Sequence, residues 1–174
     1  MKDGTILGCL WILTFTFSTI MMRHITSGST LGLFSTFAVI SLSMASPILV
    51  FKMAKGHWSE AYNEKTSFMD IWSYIGIIYL CAILLSSIAQ FIYYEYCDPY
   101  LFYDVMADFS NIKFEGDVDG TLSKSILEQL KAMSETSTAD LVLSQASGHM
   151  TRDILVTTCM AFIISRNLKN KIEQ

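Results

Sequence analysis

The chain has 174 residues, the length of one ordinary domain, but its composition is not that of a soluble one. Hydrophobic residues make up 52% of it and charged residues only 16%, against about 25% charged in typical soluble domains. The net charge of −4 argues against a nucleic-acid-binding protein, and four cysteines are too few for a disulfide scaffold. The sequence therefore predicts an all-helical integral membrane protein that forms a single membrane domain over residues 1–174.

Three uncharged stretches are long enough to cross a bilayer, which takes about 20 mostly apolar residues. They cover about residues 4–22, 28–51 and 71–94. We expect the first to be an uncleaved anchor, because its apolar stretch is longer than that of a signal peptide and no small-residue cleavage motif follows. A fourth span is predicted over about residues 146–165; residues 154–165 alone are too short, so the helix must carry Arg152 and Asp153.

Basic residues are unevenly distributed over the two sides of a four-span chain. Arg23 is the only basic residue in a short loop on the side away from the termini. The positive-inside rule therefore predicts that both termini are cytoplasmic. The loop over residues 95–145 then lies outside, and the spacing of Leu122, Ile126, Leu130 and Met133 predicts an amphipathic helix within it, on the membrane surface or packed over the bundle.

Aromatic residues crowd the predicted outer end of the third span, from Phe91 to Phe114. Aromatic rings with a polar tip favour the headgroup layer, so an interfacial belt is the first interpretation and a ligand-binding aromatic box is the alternative. Asp98-Pro99 is expected to end the third helix, because proline disfavours helical geometry in the residue before it.

Motifs for catalysis and metal binding are missing from the sequence. The acidic stretch at residues 115–120 resembles the start of a calcium loop, but Ile126 stands where a carboxylate ligand is needed. Histidines and cysteines lack metal-ligand spacing, and no nucleotide-binding or nucleophile motif occurs. We therefore predict no catalytic residue, no metal site and no cofactor, and we expect a non-enzyme. The glycine pairs Gly4/Gly8 and Gly28/Gly32 are expected to pack helices closely, including those of a partner.

A polar cluster in the fourth segment is the candidate site. Gln145, His149, Arg152 and Asp153 share one helix face by their spacing. If this face lies within the membrane, it must point into the bundle or a wet cavity, where ionisable residues are functional candidates. If it forms the outermost turns of the span, Arg152 reaches the headgroups; the short apolar run favours this interfacial interpretation.

The order of these parts resembles the family known as domain of unknown function 4199. The resemblance covers nearly the whole chain and rests on Phe68-Met69-Asp70-Ile71-Trp72, Asp98-Pro99-Tyr100 and the Ser125-Ile126-Leu127-Glu128-Gln129 helix. It implies a protein of the inner membrane of Bacteroidota and an accessory role in envelope sugar-lipid metabolism. It supplies no catalytic residues.

Two functions of different classes follow as hypotheses. The first is a non-catalytic accessory or scaffold subunit in envelope biogenesis, whose partners are membrane lipids and another membrane protein or a second copy of the chain. The alternative is a small transporter or channel subunit that uses His149, Arg152 and Asp153 on the fourth helix. Neither hypothesis involves nucleic acid.

Overall fold

A computed structural model describes residues 2–24, 29–61, 66–110 and 121–172, apart from the side chains of residues 121–123, 171 and 172. Helices account for nearly all of the described residues, so the predicted all-helical class is confirmed. They are α1 (Lys2–His24), α2 (Thr30–Ala61), α3 (Phe68–Ile92), α4 (Leu101–Ser110), α5 (Thr121–Glu135) and α6 (Thr138–Ile172). A π-helical turn, Tyr93–Cys97, continues α3 to the predicted stop at Asp98-Pro99.

Within the described ranges, α1, α2 and α3 with its π-helical turn are long and apolar enough to cross a membrane. By length and composition these are the helices of a multi-pass membrane protein. The predicted fourth span lies in α6, which is 35 residues long but is not among these three candidates. Polar residues in its first half lower its hydropathy, so a count of four spans is not confirmed.

Two boundaries differ from the sequence prediction. The segment over residues 95–145 contains α4 and the first two turns of α6, so α6 begins before the predicted start of the fourth span. The reason for the early start of α6 is a cap: the Ser137 hydroxyl accepts a hydrogen bond from the Asp140 backbone N–H at 3.2 Å. α3 begins at Phe68, before the predicted start near residue 71, because a full capping box precedes it. In this box the Ser67 hydroxyl accepts from the Asp70 backbone N–H, and the Asp70 carboxylate accepts from the Ser67 backbone N–H.

The four long helices form an open arc rather than a closed bundle. α1 packs against both α2 and α3, and α3 packs against α6, whereas α2 and α6 make few contacts. The pairs Trp11–Ser46 and Phe17–Phe34 make α1 and α2 antiparallel. α1 and α3 run in the same direction and α6 runs opposite to them. The gap between α2 and α6 is therefore the loosest seam of the arc.

Small residues allow α1 to lie close to α3. A Cβ atom at Gly4 would lie 2.6 Å from the Cβ of Cys81, and one at Gly8 would lie 2.7 Å from a Leu85 methyl group. The Gly4/Gly8 pair is thus used inside the chain. A partner helix was expected to be able to pack on this glycine face, but in the structure α3 already covers it. Gly28 and the acidic stretch at residues 115–120 lie outside the described residues.

The helices at the end of α3 form a cap over one end of the arc. α4 and α5 pack together, and the buried Leu101, Phe102 and Val105 of α4 join Leu130 of α5 in one apolar cluster. The predicted amphipathic helix is α5. The aromatic residues of this region divide between two environments: Tyr94 is buried in the same cluster, whereas Tyr96 and Tyr100 are exposed.

Candidate functional site

Trp11 of α1 contacts all three of the other long helices. Its indole Nε1 donates a hydrogen bond to the buried Ser46 hydroxyl of α2 at 2.9 Å. Its ring lies 6.1 Å from the ring of Tyr79 on α3 and 4.9 Å from that of His149 on α6. Trp11 is buried, so it fixes the position of the polar cluster relative to the rest of the arc.

The polar cluster on α6 is a bonded group of three side chains. Arg152 Nε donates to Asp153 Oδ1 at 2.9 Å, and Arg152 Nη2 lies 3.0 Å from His149 Nδ1. Because arginine is only a donor, His149 Nδ1 accepts this bond and the imidazole is neutral in this arrangement. The guanidinium carbon also lies 5.8 Å from the centre of the Trp11 ring, within range of a cation–π interaction.

Asp153 and Arg152 differ in their exposure. The Asp153 side chain is 5% exposed, and its Oδ2 atom is buried without a hydrogen-bond partner among the described residues. The Arg152 side chain is 56% exposed. A buried carboxylate is costly unless its oxygens are hydrogen-bonded. Within the described residues only Oδ1 of Asp153 has such a partner.

The cluster lines a cavity of about 430 Å³ between the four long helices. Its polar lining outside α6 consists mainly of hydroxyl and amide groups from the other helices: Thr14, Ser18, Ser43, Ser46, Ser86 and Gln90. Gln145, the first residue of the predicted polar face, also lines it. A volume of this size is enough for a small ligand, and its few polar groups converge on one space.

Pro47 interrupts the helical hydrogen bonds of α2 beside this cavity. It lies inside α2 and has no backbone N–H, so the carbonyl of Ser43 four residues earlier loses its helical donor. Ser43 and Pro47 both line the cavity. The proline of α2 therefore coincides with the site.

The contacts of Trp11 give the height of the cluster along the long helices. Trp11 lies near the middle of α1, Lys2–His24, and it contacts both His149 and Arg152. The cluster is thus level with the middle of α1 rather than with its end at Arg23. The last span was predicted to start near residue 146, whereas α6 begins at Thr138, so the cluster does not lie in the first turns of this helix. Its position relative to the membrane surface stays a prediction.

A second cavity, of about 460 Å³, lies along the seam between α3 and α6. It is mostly apolar and includes Trp72, Gly76 and Met150. Tyr79 and Asp153 line both cavities, so these two side chains form part of the partition between them.

An ion pair that the sequence did not predict lies at the end of α1. Arg23 donates through Nε and Nη2 to Asp98 Oδ2, and the Tyr93 hydroxyl lies 3.0 Å from the same oxygen. Asp98 is buried at the corner between α3 and α4. It ties this corner to α1, so its role is to position helices.

Metal binding finds no support in the described part of the chain, where no three His, Cys, Asp or Glu side chains form a candidate site. All four cysteines are free thiols. The polar cluster offers instead a guanidinium donor, a neutral imidazole and a buried carboxylate. These groups can bind an ionic or hydrogen-bonding solute and exchange a proton with it.

Comparison with known proteins gives one finding. The model of a family described as Protein of unknown function (DUF4199) matches residues 2–166 of the chain. No curated protein and no solved structure gives a match.

Proposed function

The chain belongs to the DUF4199 family, whose function is unknown, and we propose that it is a small transporter or channel subunit with a solute site between its four long helices. Asp153 is the observation that carries this proposal. Its side chain is 5% exposed, it is only partly paired, and it lines a cavity level with the middle of α1. Charged residues at such depth are costly in a membrane and mark solute or ion pathways.

The proposal includes a fourth membrane crossing by α6. A helix of 35 residues is about 52 Å long, enough to cross a bilayer core of about 30 Å. Asp153 would be sheltered from lipid, because its side chain is 5% exposed, and Gln145 and His149 line the same cavity. Four crossings bring both termini to one side, and the positive-inside rule assigns that side to the cytoplasm of a bacterial inner membrane.

An accessory role in envelope biogenesis is the second candidate. It is favoured by the outer face of α2, where Leu33, Phe34, Phe37 and Met44 are each at least 60% exposed. Acyl chains and a partner helix would cover this face equally well. Purification from native membranes in mild detergent distinguishes a partner helix from acyl chains on this face. A stoichiometric partner enzyme would favour the accessory role.

Cysteine labelling tests the proposed solute site. In a chain whose four native cysteines are replaced by serine, Ser43→Cys places a thiol in the cavity wall and Met44→Cys places one on the outer face of α2. Gly56→Cys, with nothing within 4 Å, gives the rate for a thiol in water. A charged thiol reagent should modify the thiol at position 43 at least about tenfold faster than that at position 44, because thiolates form poorly in lipid. Equal rates at positions 43 and 44 would exclude a water-filled cavity.

A further inference from the structure

We propose that the cavity binds one oxyanion, a carboxylate or phosphate group, on Arg152 together with one proton on Asp153. The proposal rests on the proposed function and names the solute class of the same site. It predicts that binding couples an anion to a proton in equal numbers.

Arg152 has the geometry of an oxyanion receptor. Two of its nitrogens are held by Asp153 and His149, while its side chain is 56% exposed overall and forms part of the cavity lining. A guanidinium has five N–H donors in a planar fork, which matches the two oxygens of a carboxylate or phosphate. The ring of Trp11 restricts its position from one side. The group is therefore oriented before any ligand arrives.

Charge balance calls for a proton to accompany the anion. Arg152 and Asp153 together carry no net charge, so an added anion alone would leave one negative charge in a low-dielectric cavity. Proton uptake by Asp153 removes that charge. The O–H bond forms at a carboxylate oxygen with a proton released by the buffer acid in the aqueous phase, and Oδ2 is the oxygen without a hydrogen-bond partner among the described residues. The Arg152–Asp153 ion pair is then replaced by an Arg152–oxyanion pair.

Few other groups near Asp153 can take or give the proton. α6 contributes His149 and Arg152, and α3 contributes Tyr79. α1 and α2 contribute Trp11 and Ser46 to the same cavity, and neither titrates. Arginine stays protonated near pH 7, and tyrosine, including Tyr94 in the cavity lining, stays neutral, so His149 is the one competing proton site among the described lining residues. A His149→Gln variant distinguishes it from Asp153.

The seam between α2 and α6 gives the oxyanion two possible sources. The helices make few contacts there, and Val39, Pro47 and Val156 make part of the lining apolar. A lipid headgroup could enter sideways with its acyl chains left in the bilayer, and a free anion could enter from water. The shared chemistry is the oxyanion.

The test measures anion binding and proton uptake on the full chain in nanodiscs. Acetate and inorganic phosphate are titrated into protein in phosphatidylcholine, and the same titrations are repeated with phosphatidylglycerol in the disc. Calorimetry in two buffers of different ionisation enthalpy gives the protons taken up per anion. Competition by phosphatidylglycerol identifies a headgroup site, and its absence identifies a site for free anions. If neither free anion binds in phosphatidylcholine and phosphatidylglycerol shows no proton-linked binding, the proposal is overturned.

Single-residue variants show which side chain binds the anion and which takes up the proton. We expect about one proton per anion in the unaltered protein, and an affinity that falls up to about tenfold per pH unit above neutrality. Asp153→Asn should bind the anion without proton uptake, and Arg152→Gln should bind at least about tenfold more weakly. His149→Gln should still take up the proton. Proton uptake that persists in Asp153→Asn, or unchanged binding in Arg152→Gln, would overturn the proposal.

A neutral double variant separates folding from binding. Arg152→Gln with Asp153→Asn keeps the side-chain shapes and removes both charges, so it should stay monodisperse and lose anion binding. If Ser43→Cys labels rapidly but no anion binds, the oxyanion inference fails and the solute site stands. If the thiol at position 43 does not label, the proposed function itself fails.

Discussion

The hydrogen bond from Trp11 Nε1 to the Ser46 hydroxyl, 2.9 Å long, joins α1 to α2 at the level of the polar cluster. Both groups are buried, and Ser46 is followed directly by Pro47, where the helical bonding of α2 is interrupted. The bond therefore holds the cavity wall next to the interruption in the helical hydrogen bonds of α2. It also holds the Trp11 ring against Arg152 and His149.

Loss of this hydrogen bond should destabilise the protein measurably. Trp11→Phe keeps an aromatic ring but removes the donor, so we expect a cost of about 1 kcal/mol. For a chain of 174 residues this lowers the midpoint of thermal unfolding by about 2–4 °C. The midpoint is measured in detergent micelles as the loss of the monodisperse peak.

Trp58→Phe is the matched control for this measurement. The indole N–H of Trp58 is buried without a hydrogen-bond partner among the described residues. Removing it should leave stability unchanged or slightly raised, because an unsatisfied buried donor is itself a cost. An equal drop in both variants would show that ring size, not the bond to Ser46, sets the effect.

The ion pair between Arg23 and Asp98 should contribute more than a surface pair. Asp98 is 11% exposed at its side chain and accepts from Arg23 and Tyr93, so Asp98→Asn removes the nearer and more buried of the two carboxylates that pair with Arg23. We expect a loss of about 1–3 kcal/mol in thermal or denaturant unfolding. Glu135→Gln breaks the exposed pair with Lys131, 3.8 Å apart, and should cost less than about 0.5 kcal/mol. Similar losses in the two variants would contradict this.

Much of the helical order could be predicted from the sequence, because a bilayer leaves few choices for backbone hydrogen bonds. The uncharged stretches gave the cores of α1, α2 and α3, and Asp98-Pro99 marked the end of the third. α4 was missed, because its first residues were assigned to an interfacial aromatic belt. Phe102 is instead buried in an apolar cluster that also includes Phe15 of α1 and Leu141 of α6, so its burial depends on helices distant in the chain.

The candidate site was only half predictable. Helical spacing placed Gln145, His149 and Arg152 on one face, and all three line the cavity. Their partner Trp11 could not be found in this way, since it lies more than 130 residues away and looks like any apolar residue of a span. The height of the cluster along the helices could not be predicted from the sequence either, because it depends on the register of α6 against α3.

α1 and α3 pack so closely at Gly4 that a larger side chain at this position should destabilise the protein. Gly4→Ala puts a Cβ atom 2.6 Å from the Cβ of Cys81, so the helices must separate. We expect a cost of about 1–3 kcal/mol in unfolding and partial relief in Gly4→Ala/Cys81→Gly. Gly76→Ala, with nothing within 4 Å, should be neutral or stabilising by up to about 1 kcal/mol. A harmless Gly4→Ala would mean that α1 and α3 are not in close contact in the membrane.

The membrane crossing of α6 predicts where the C-terminus lies. Reporter fusions after Gln174 and after Ser134 place a fluorescent protein or alkaline phosphatase on either side of α6. Since green fluorescence develops in the cytoplasm and phosphatase activity outside it, α6 as a fourth span predicts fluorescence at position 174 and phosphatase activity at position 134. The basic residues Arg166 and Lys169 near the end of α6 favour the same cytoplasmic side as Lys2. Phosphatase activity at both positions would leave α6 on the outer surface, and the polar cluster would then lie outside the bilayer.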